Sequence, residues 1–249
     1  MTIEIKTLKR TDGKHIKLWK EVFGDSEDFI RRVFDAQAYY GAVTATLDGE
    51  TAGAAHLLSL SDSNAFYCYA VAVKEQHRGH GIGRALMEHI KNFSCETSAS
   101  VLLHPASPSL CDFYGSLGFC PVLFRSSFRC EGDGGAFSLI SAEEYCRMRE
   151  FTFGGAGFFA WNGEMLSLTG LSFIGFDIDG EYCAAAVDGR CVYEVCASPI
   201  SYGKAVRRAA SFCSGTAEVY SISDMPMDAD VAVMGFNCDS VSYFNFFLD

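Results

Sequence analysis

A glycine-rich turn separates a β-type run from an amphipathic helix in the first third of the chain. The run is Tyr69–Val73, the turn carries Gly79, Gly81 and Gly83, and the predicted helix spans Arg84–Phe93. This order leaves unpaired main-chain N–H groups at the helix N-terminus, where they can bind an anion. Glycines permit left-handed backbone angles and remove the side chain between backbone and ligand. The segment therefore predicts a pyrophosphate-binding loop.

Two common nucleotide loops do not fit this segment. A P-loop places Lys and then Ser or Thr after its last glycine, whereas this chain has Arg84-Ala85. A dinucleotide fingerprint has its first glycine at the end of the strand and spaces its glycines differently from Gly79, Gly81 and Gly83. An unrelated nucleotide binder of the α/β class stays open as an alternative reading of the loop.

Two motifs resemble the GNAT superfamily of N-acetyltransferases. The first is Arg78-x-x-Gly81-x-Gly83 after a strand, which is similar to that family's acyl-coenzyme A signature. The second is Phe113-Tyr114-x-x-x-Gly118-Phe119, which resembles the segment that carries the family's active-site tyrosine. The resemblance implies a mixed α/β (α+β) GNAT fold and acetyl transfer from acetyl-CoA, the co-substrate, to a primary amine of a small molecule or peptide.

The resemblance also implies which residues form the site. In the family, a fourth strand that splays from the fifth pairs its backbone with the pantetheine arm, and the loop binds the pyrophosphate. The predicted coenzyme ligands are Val71, Ala72, Val73, Arg78, Gly79, His80, Gly81, Ile82, Gly83 and Arg84. Tyr114 is the predicted general acid that protonates the leaving thiolate, since a phenol pKa near 10 tolerably matches a thiol pKa near 8.5.

The general base and the amine pocket are not identified by the sequence. The candidates for a proton relay are Tyr67, Tyr69, Glu75 and His104. Each fits a wall or rim position better than a proton relay, and a water chain is a further alternative. The pocket is expected beside Val22–Phe34, with Phe158, Phe159 and Trp161 as candidate lining residues or interdomain core.

Composition and charge restrict the partners. A net charge of −11 argues against nucleic acid or an anionic membrane surface and mildly favours a cationic acceptor. No apolar run reaches the roughly 18 residues of a membrane span, and the N-terminal alternation is typical of a strand, not a secretory signal. The eleven cysteines include no C-x-x-C pair, and the histidines lack zinc spacing, so we expect a cytoplasmic protein with reduced thiols and no metal.

The second half of the chain repeats the order of the first without a glycine turn. Residues 1–130 are predicted to form a complete GNAT acetyltransferase domain, and residues 138–249 a degenerate GNAT-like domain after the linker candidate Glu131–Gly135. The predicted strand at 157–161 and two terminal strands belong to this second domain. The apolar terminal strand leaves a homodimer open. The rival to an enzyme is a catalytically silent acyl-CoA-binding module.

Overall fold

The computed structural model describes residues 3–60, 64–155, 157–158, 160–224, 229–238, 241 and 243–245. It divides into two compact units. The first comprises Met1–Pro121 and Val233–Asp239, and the second comprises Val122–Ala232 and Ser240–Asp249. The chain therefore returns to the first unit after building most of the second. The predicted domain boundaries stay a prediction.

The first unit is a mixed sheet with helices on both faces. Its strands are β1 (Ile3–Leu8), β2 (Tyr39–Leu47), β3 (Glu50–Ser59), β4 (Ala65–Val73), β5 (Ser100–Leu103) and the Val233–Phe236 part of β12 (Asp230–Phe236). Its helices are α1 (Gly13–Phe23), α2 (Glu27–Asp35), α3 (Ile82–Thr97) and α4 (Pro108–Gly115). The strand order is β1-β2-β3-β4-β5-β12, with β4 and β5 parallel and the other pairs antiparallel.

Local sequence signals explain most of these elements. Ser26 caps α2 by accepting the Phe29 N–H at 3.1 Å. Asp48 and Gly49 have φ of 49° and 85°, the positive pair that a two-residue hairpin turn between β2 and β3 requires. Helix α2 ends at Asp35, because Ala36 already has an extended backbone.

The core of the first unit lies on both faces of the sheet. The Ala72 side chain packs with Leu18 of α1 and Ala54 of β3. Gly83, at the start of α3, lies instead against the neighbouring Val73 side chain. Since adjacent residues of a strand point to opposite faces, α1 and α3 cover opposite sides of β4.

The second unit repeats this plan in a smaller form. Its strands are β6 (Cys120–Glu131), β7 (Ser138–Leu139), β8 (Ser172–Ile178), β9 (Glu181–Val187), β10 (Cys191–Cys196) and β11 (Thr216–Ser223), and its helices are α5 (Ala142–Phe153), α6 (Gly163–Ser167) and α7 (Tyr202–Ala210). The strand order is β6-β11-β10-β9-β8-β7, with β10 and β11 parallel. An apolar cluster packs α7 on β8, β9, β10 and β11.

Three predictions for the second half need correction or fall outside the description. The described residues of the strand expected over 157–161 form no strand: Phe158 makes an isolated bridge with Tyr243, Ala160 is in another single bridge, and α6 follows. One late strand, β12, is present, whereas residues 246–249 of the second predicted strand lie outside the described residues. The linker candidate is tethered, because Asp133 accepts a 2.9 Å bond from Arg208 Nε.

Candidate functional site

Strand β4 has one open edge. It pairs with β3 from Phe66 to Val73, but its parallel pairing with β5 covers only Ala65, Phe66 and Tyr67. Because β5 ends at Leu103 whereas β4 continues to Val73, the main chain beyond Tyr67 is not paired with β5. The two strands thus diverge as the family resemblance implied, and the divergence opens a wedge in the sheet.

A β-bulge lies at the mouth of this wedge. Ala70 has φ of 49°, and the register with β3 shifts between Ala54, opposite Ala72, and His56, opposite Tyr69. Two residues of β4, Ala70 and Val71, therefore oppose the single residue Ala55 of β3, which bends the strand and increases its twist. The bulge redirects the main-chain groups beside it, a common device next to active sites.

Hydrogen bonds fix the direction of the main chain after the bulge. The Lys74 N–H donates to Ala52 O of β3 at 2.9 Å, so alternation places the N–H and C=O of Val73 on the opposite, open side. Arg78 Nε reaches Val73 O on that side at 3.3 Å. Val71 has the same orientation as Val73, whereas the main chain of Ala72 faces β3. Of the predicted strand ligands, Val71 and Val73 thus face the wedge.

The glycine turn has the conformation that anion binding needs. A single 3₁₀ turn, Glu75–His77, leads into the loop. Gly79 and Gly81 have φ of 78° and 79°, in the left-handed region. A Cβ at either position would meet no atom within 4 Å, so backbone conformation and not crowding requires glycine there. Gly81 then serves as the N-cap of α3 without a capping side chain.

The first turn of α3 directs its N–H groups out of the helix. Its first intrahelical bond is from Ala85 N to Gly81 O at 3.0 Å, so the amides of Ile82, Gly83 and Arg84 precede the helical ladder. Ile82 is buried at 1% exposure, which anchors the turn in the core and leaves only its main chain for a ligand. The helix dipole adds partial positive charge at the same point.

The flanking polar side chains brace the loop. Arg78 is bonded to Val73, as described above, and a 3.0 Å hydrogen bond joins His80 Nδ1 to the Arg78 carbonyl. Arg84 Nη2 donates to Ser116 Oγ at 3.1 Å, just after α4. Because Ser116 is two residues from Tyr114, Arg84 links the loop to the helix of the predicted acid. Sequence reasoning missed this link, which no local motif encodes.

Tyr114 lies buried in the last turn of α4. It is 6% exposed and packs edge-on against Phe113 and Phe119, with ring centroids 5.1 and 6.0 Å away. Burial, with a smaller contribution from the nearby Cys68 of β4, raises the pKa of the Tyr114 phenol above its usual value. The phenol therefore stays protonated at neutral pH. Its pKa also matches a thiolate near 8.5 less closely than an unperturbed tyrosine would.

The four candidates for the general base lie on or near β4, and their positions do not distinguish one of them as the base. Tyr67 and Tyr69 stack at 5.7 Å, and Tyr69 also packs on Trp19 of α1 at 5.2 Å. Glu75 lies in the 3₁₀ turn, and His104 directly follows β5. Their roles remain predictions.

A buried histidine that the sequence did not point to lies beneath α1 and α2. His56 is 1% exposed and packs against Trp19 and Phe34, with centroids 4.8 and 5.1 Å away. A 2.8 Å hydrogen bond joins its Nδ1 to the Tyr39 hydroxyl. Burial, reinforced by His15, lowers the pKa of His56 to about 3, so its ring is neutral at physiological pH.

The residues expected around the amine pocket differ in what they pack against and bond to. Val22 packs beside the Ala72 cluster, and Asp25, between α1 and α2, accepts a 2.7 Å bond from Trp19 Nε1. In the second unit, Trp161 is buried and donates to Asn245 O at 3.1 Å. Phe159 lies outside the described residues.

The second unit contains an analogous wedge without a glycine turn. Strand β10 pairs with β11 only at Cys191 and Val192, and its register with β9 shifts between Val192 and Glu194. At the N-terminus of α7 the Glu181 carboxylate accepts bonds from Ser198 N at 2.6 Å and Ser201 Oγ at 2.5 Å. These bonds, with one from Ser198 Oγ, lower the pKa of Glu181. A carboxylate of the same unit thus bonds the segment that leads into this helix, and the Tyr202 amide is bonded to Ser198 O.

Comparison with known proteins identifies the first unit. Residues 38–121, which include the loop and Tyr114, match the family model of the acetyltransferase (GNAT) domain. This part of the chain is therefore similar to a GNAT acetyltransferase domain. No curated protein sequence matches the chain.

Solved structures extend the GNAT likeness over both units. The probable N-acyltransferase of Enterococcus faecalis V583 is 12% identical, with a TM-score of 0.72 over 94% of the chain and 72% of the neighbour. A GCN5-related N-acetyltransferase from Kribbella flavida is 16% identical, with a TM-score of 0.63 over 94% and 71%. A tandem GNAT protein of the clavulanic acid biosynthesis pathway is 12% identical, with a TM-score of 0.57 over 94% and 98%.

These likenesses concern the fold. The predicted fold class is confirmed: the protein has a mixed α/β fold with a large mixed sheet, and this GNAT fold matches that of the solved neighbours. None of the helices in the described part of the chain combines the length and apolar composition that a membrane crossing requires. Within the same residues, no three His, Cys, Asp or Glu side chains group as a metal site.

Proposed function

We propose that the protein is an N-acetyltransferase that transfers the acetyl group of acetyl-CoA to a primary amine of a small molecule or peptide. The observation that carries the proposal is the continuity of three features in one unit. The open, bulged edge of β4 leads into the Gly79–Gly83 loop, and the protonated Tyr114 lies close to Cys68 of the same strand. The open edge of β4 can bind the thioester arm, the loop can bind the pyrophosphate, and Tyr114 can donate the proton.

The reaction follows from these groups. The phosphates bind the N–H groups of the loop and of the first turn of α3, and the pantetheine pairs with the open edge of β4. A main-chain N–H beside the bulge polarises the thioester carbonyl, an interaction commonly worth about 3 kcal/mol in the transition state. The neutral amine attacks the carbonyl carbon, and the carbon–sulfur bond then breaks.

Tyr114 stabilises the leaving sulfur. Its phenol donates a hydrogen bond to the developing thiolate and transfers the proton as the thiol leaves. Since a tyrosinate with a raised pKa is a strong base, it regains a proton that the acylated nitrogen loses, relayed through water. The balance is one amine and one thioester converted to one amide and one thiol.

The proposal is tested by following thiol release from acetyl-CoA across a panel of amines. Tyr114→Phe removes the proton donor but keeps the ring, so we expect kcat to fall about 100-fold while the KM for acetyl-CoA changes little. Tyr40→Phe is the matched control, because the Tyr40 ring packs against Phe66 and Phe93, away from Tyr114. Unchanged turnover in Tyr114→Phe would show that the acid is a different group.

A silent acyl-CoA-binding module is the second candidate, since an intact loop serves either function. Such a module would bind acetyl-CoA and release no thiol with any amine. Gly81→Glu places a carboxylate in the loop and should abolish binding in both cases, so retained affinity would refute the loop assignment. Thermal stabilisation by ATP equal to that by acetyl-CoA would instead favour an unrelated nucleotide binder.

A further inference from the structure

A strand from the far end of the sequence completes the sheet of the catalytic unit. In β12, Met234, Gly235 and Phe236 pair antiparallel with Leu103, Leu102 and Val101 of β5. These residues belong to the first unit although more than a hundred residues of the second unit precede them.

The end of this strand is fastened to β5. Asn237 has a φ of 54°, which asparagine tolerates better than most residues. Its Nδ2 donates to Ala99 O at 3.2 Å, and its carbonyl accepts from Ser100 Oγ at 2.9 Å. These bonds fix the register, so Phe236 has a defined place beside β5.

Phe236 is the first member of an aromatic row that ends at the predicted acid. Its ring centroid lies 5.5 Å from that of Phe119, and Phe119 lies 6.0 Å from Tyr114 in an edge-on contact. The Phe119 N–H also donates to the Tyr114 carbonyl at 3.1 Å. Lys91 of α3 contacts the first ring of this row: its Nζ lies 4.8 Å from the Phe236 ring centroid and donates to Leu117 O.

We infer that Phe236 is a positioning residue for Tyr114, and that the C-terminal half serves catalysis by delivering this strand. The inference rests on the proposed function. Phe119 is 2% exposed and held by Phe236 on one side and Tyr114 on the other, so loss of the Phe236 ring frees Phe119 to turn. The Tyr114 hydroxyl then loses its fixed position, whereas the left-handed angles at Gly79 and Gly81 that shape the coenzyme loop do not depend on the Phe236 ring.

The test uses the full-length chain. Phe236→Ala should lower kcat about 10-fold and leave the KM for acetyl-CoA within about 2-fold, since a misplaced catalytic group affects the chemical step. Phe236→Tyr keeps the ring and should keep kcat. The matched control is Phe66→Ala: Phe66 pairs with Val101 from the β4 side but packs on Tyr40 and Phe93, so kcat should hold.

A double-mutant cycle separates positioning from general destabilisation. In the Tyr114→Phe background, Phe236→Ala should cause no further loss of kcat, because the hydroxyl that it positions is already absent. Additive losses would overturn the inference. So would an equal fall of kcat in Phe66→Ala and Phe236→Ala.

A spectroscopic measurement tests the positioning role of Phe236 separately from the acetyltransferase activity. With 3-fluorotyrosine incorporated at position 114, the ¹⁹F resonance should shift or broaden in Phe236→Ala and stay unchanged in Phe66→Ala. An unchanged resonance in Phe236→Ala would refute the positioning role whether or not the enzyme is active. Absence of thiol release from the unmodified protein, with the resonance shifted as expected, would instead refute the acetyltransferase assignment alone.

Discussion

Gly53 of β3 controls how closely α3 approaches the sheet. A Cβ at this position would lie 2.9 Å from the Ala72 carbonyl oxygen, 2.9 Å from Ile82 Cγ2 and 3.3 Å from Leu86 Cδ1. Optimal separations between non-bonded heavy atoms are about 3.5–4.0 Å. Gly53→Ala therefore requires β4 or the first turn of α3 to move by roughly half an ångström or more.

The expected cost follows from this overlap. Overpacking of a well-packed core typically costs about 1–3 kcal/mol, and for a chain of this size that lowers Tm by about 2–12 °C. Because the displaced groups belong to the open strand and to the helix turn that carries the anion-binding amides, the affinity for acetyl-CoA should also fall several-fold. Thermal unfolding and isothermal titration with acetyl-CoA measure the two effects separately.

Gly203→Ala is the matched control for this prediction. Gly203 lies in α7, with no atom within 4 Å of an added Cβ and without a positive φ. We expect that variant to be more stable by about 0.5–1 kcal/mol through helix propensity, with unchanged coenzyme affinity. If Gly53→Ala also left both Tm and affinity unchanged, close packing of α3 on β3 would not be what positions the loop.

Three other predictions concern pH, a buried ion pair and stoichiometry. The pKa of His56 is about 6.5 in the unfolded chain and about 3 in the folded protein, so below pH 6.5 the unfolded chain binds a proton that the folded protein does not. The free energy of unfolding should therefore fall by on the order of 2 kcal/mol between pH 7.5 and pH 5. Urea unfolding should show a smaller fall in His56→Gln. Glu194→Gln leaves the Arg149 guanidinium buried without its carboxylate, 2.7 Å away in the native protein, and should cost about 3–5 kcal/mol in the same assay. Titration with acetyl-CoA should give one site per chain, because no glycine turn precedes α7 and the Ser198 amide before it is already bonded to Glu181; a stoichiometry of two would contradict that.

Sequence reasoning succeeded where the signal is local. The predicted β-type run Tyr69–Val73 lies in strand β4, and the Asp48-Gly49 turn and the Ser26 cap appear where turn and capping chemistry place them. In each case a few neighbouring residues determine the backbone. The glycine loop belongs to the same class, since left-handed angles at Gly79 and Gly81 are a property of those residues themselves.

The features that could not be predicted from the sequence depend on residues far apart in the chain. Nothing near Phe236 indicates that it pairs with Val101, because pairing across more than a hundred residues is determined by the packing of the whole unit. His56 reads as an isolated strand histidine until α1 and α2 bring Trp19 and Phe34 over it. Similarly, Glu131–Gly135 has linker composition, yet Asp133 is held by Arg208 of α7.

The second unit shows how little of the coenzyme site is encoded by the fold itself. Both units have a strand that diverges from its parallel neighbour, a register shift in that strand and a helix that begins after it. What differs is the connection: the first has glycines with positive φ and an exposed turn, whereas the second has Ser198 and Ser201 bound to Glu181. The Ser198 amide and both hydroxyls before α7 are therefore already bonded to a carboxylate of the same unit, whereas the amides at the start of α3 follow flexible glycines. The second unit thus keeps the diverging strands but not the glycine loop on which we base phosphate binding in the first.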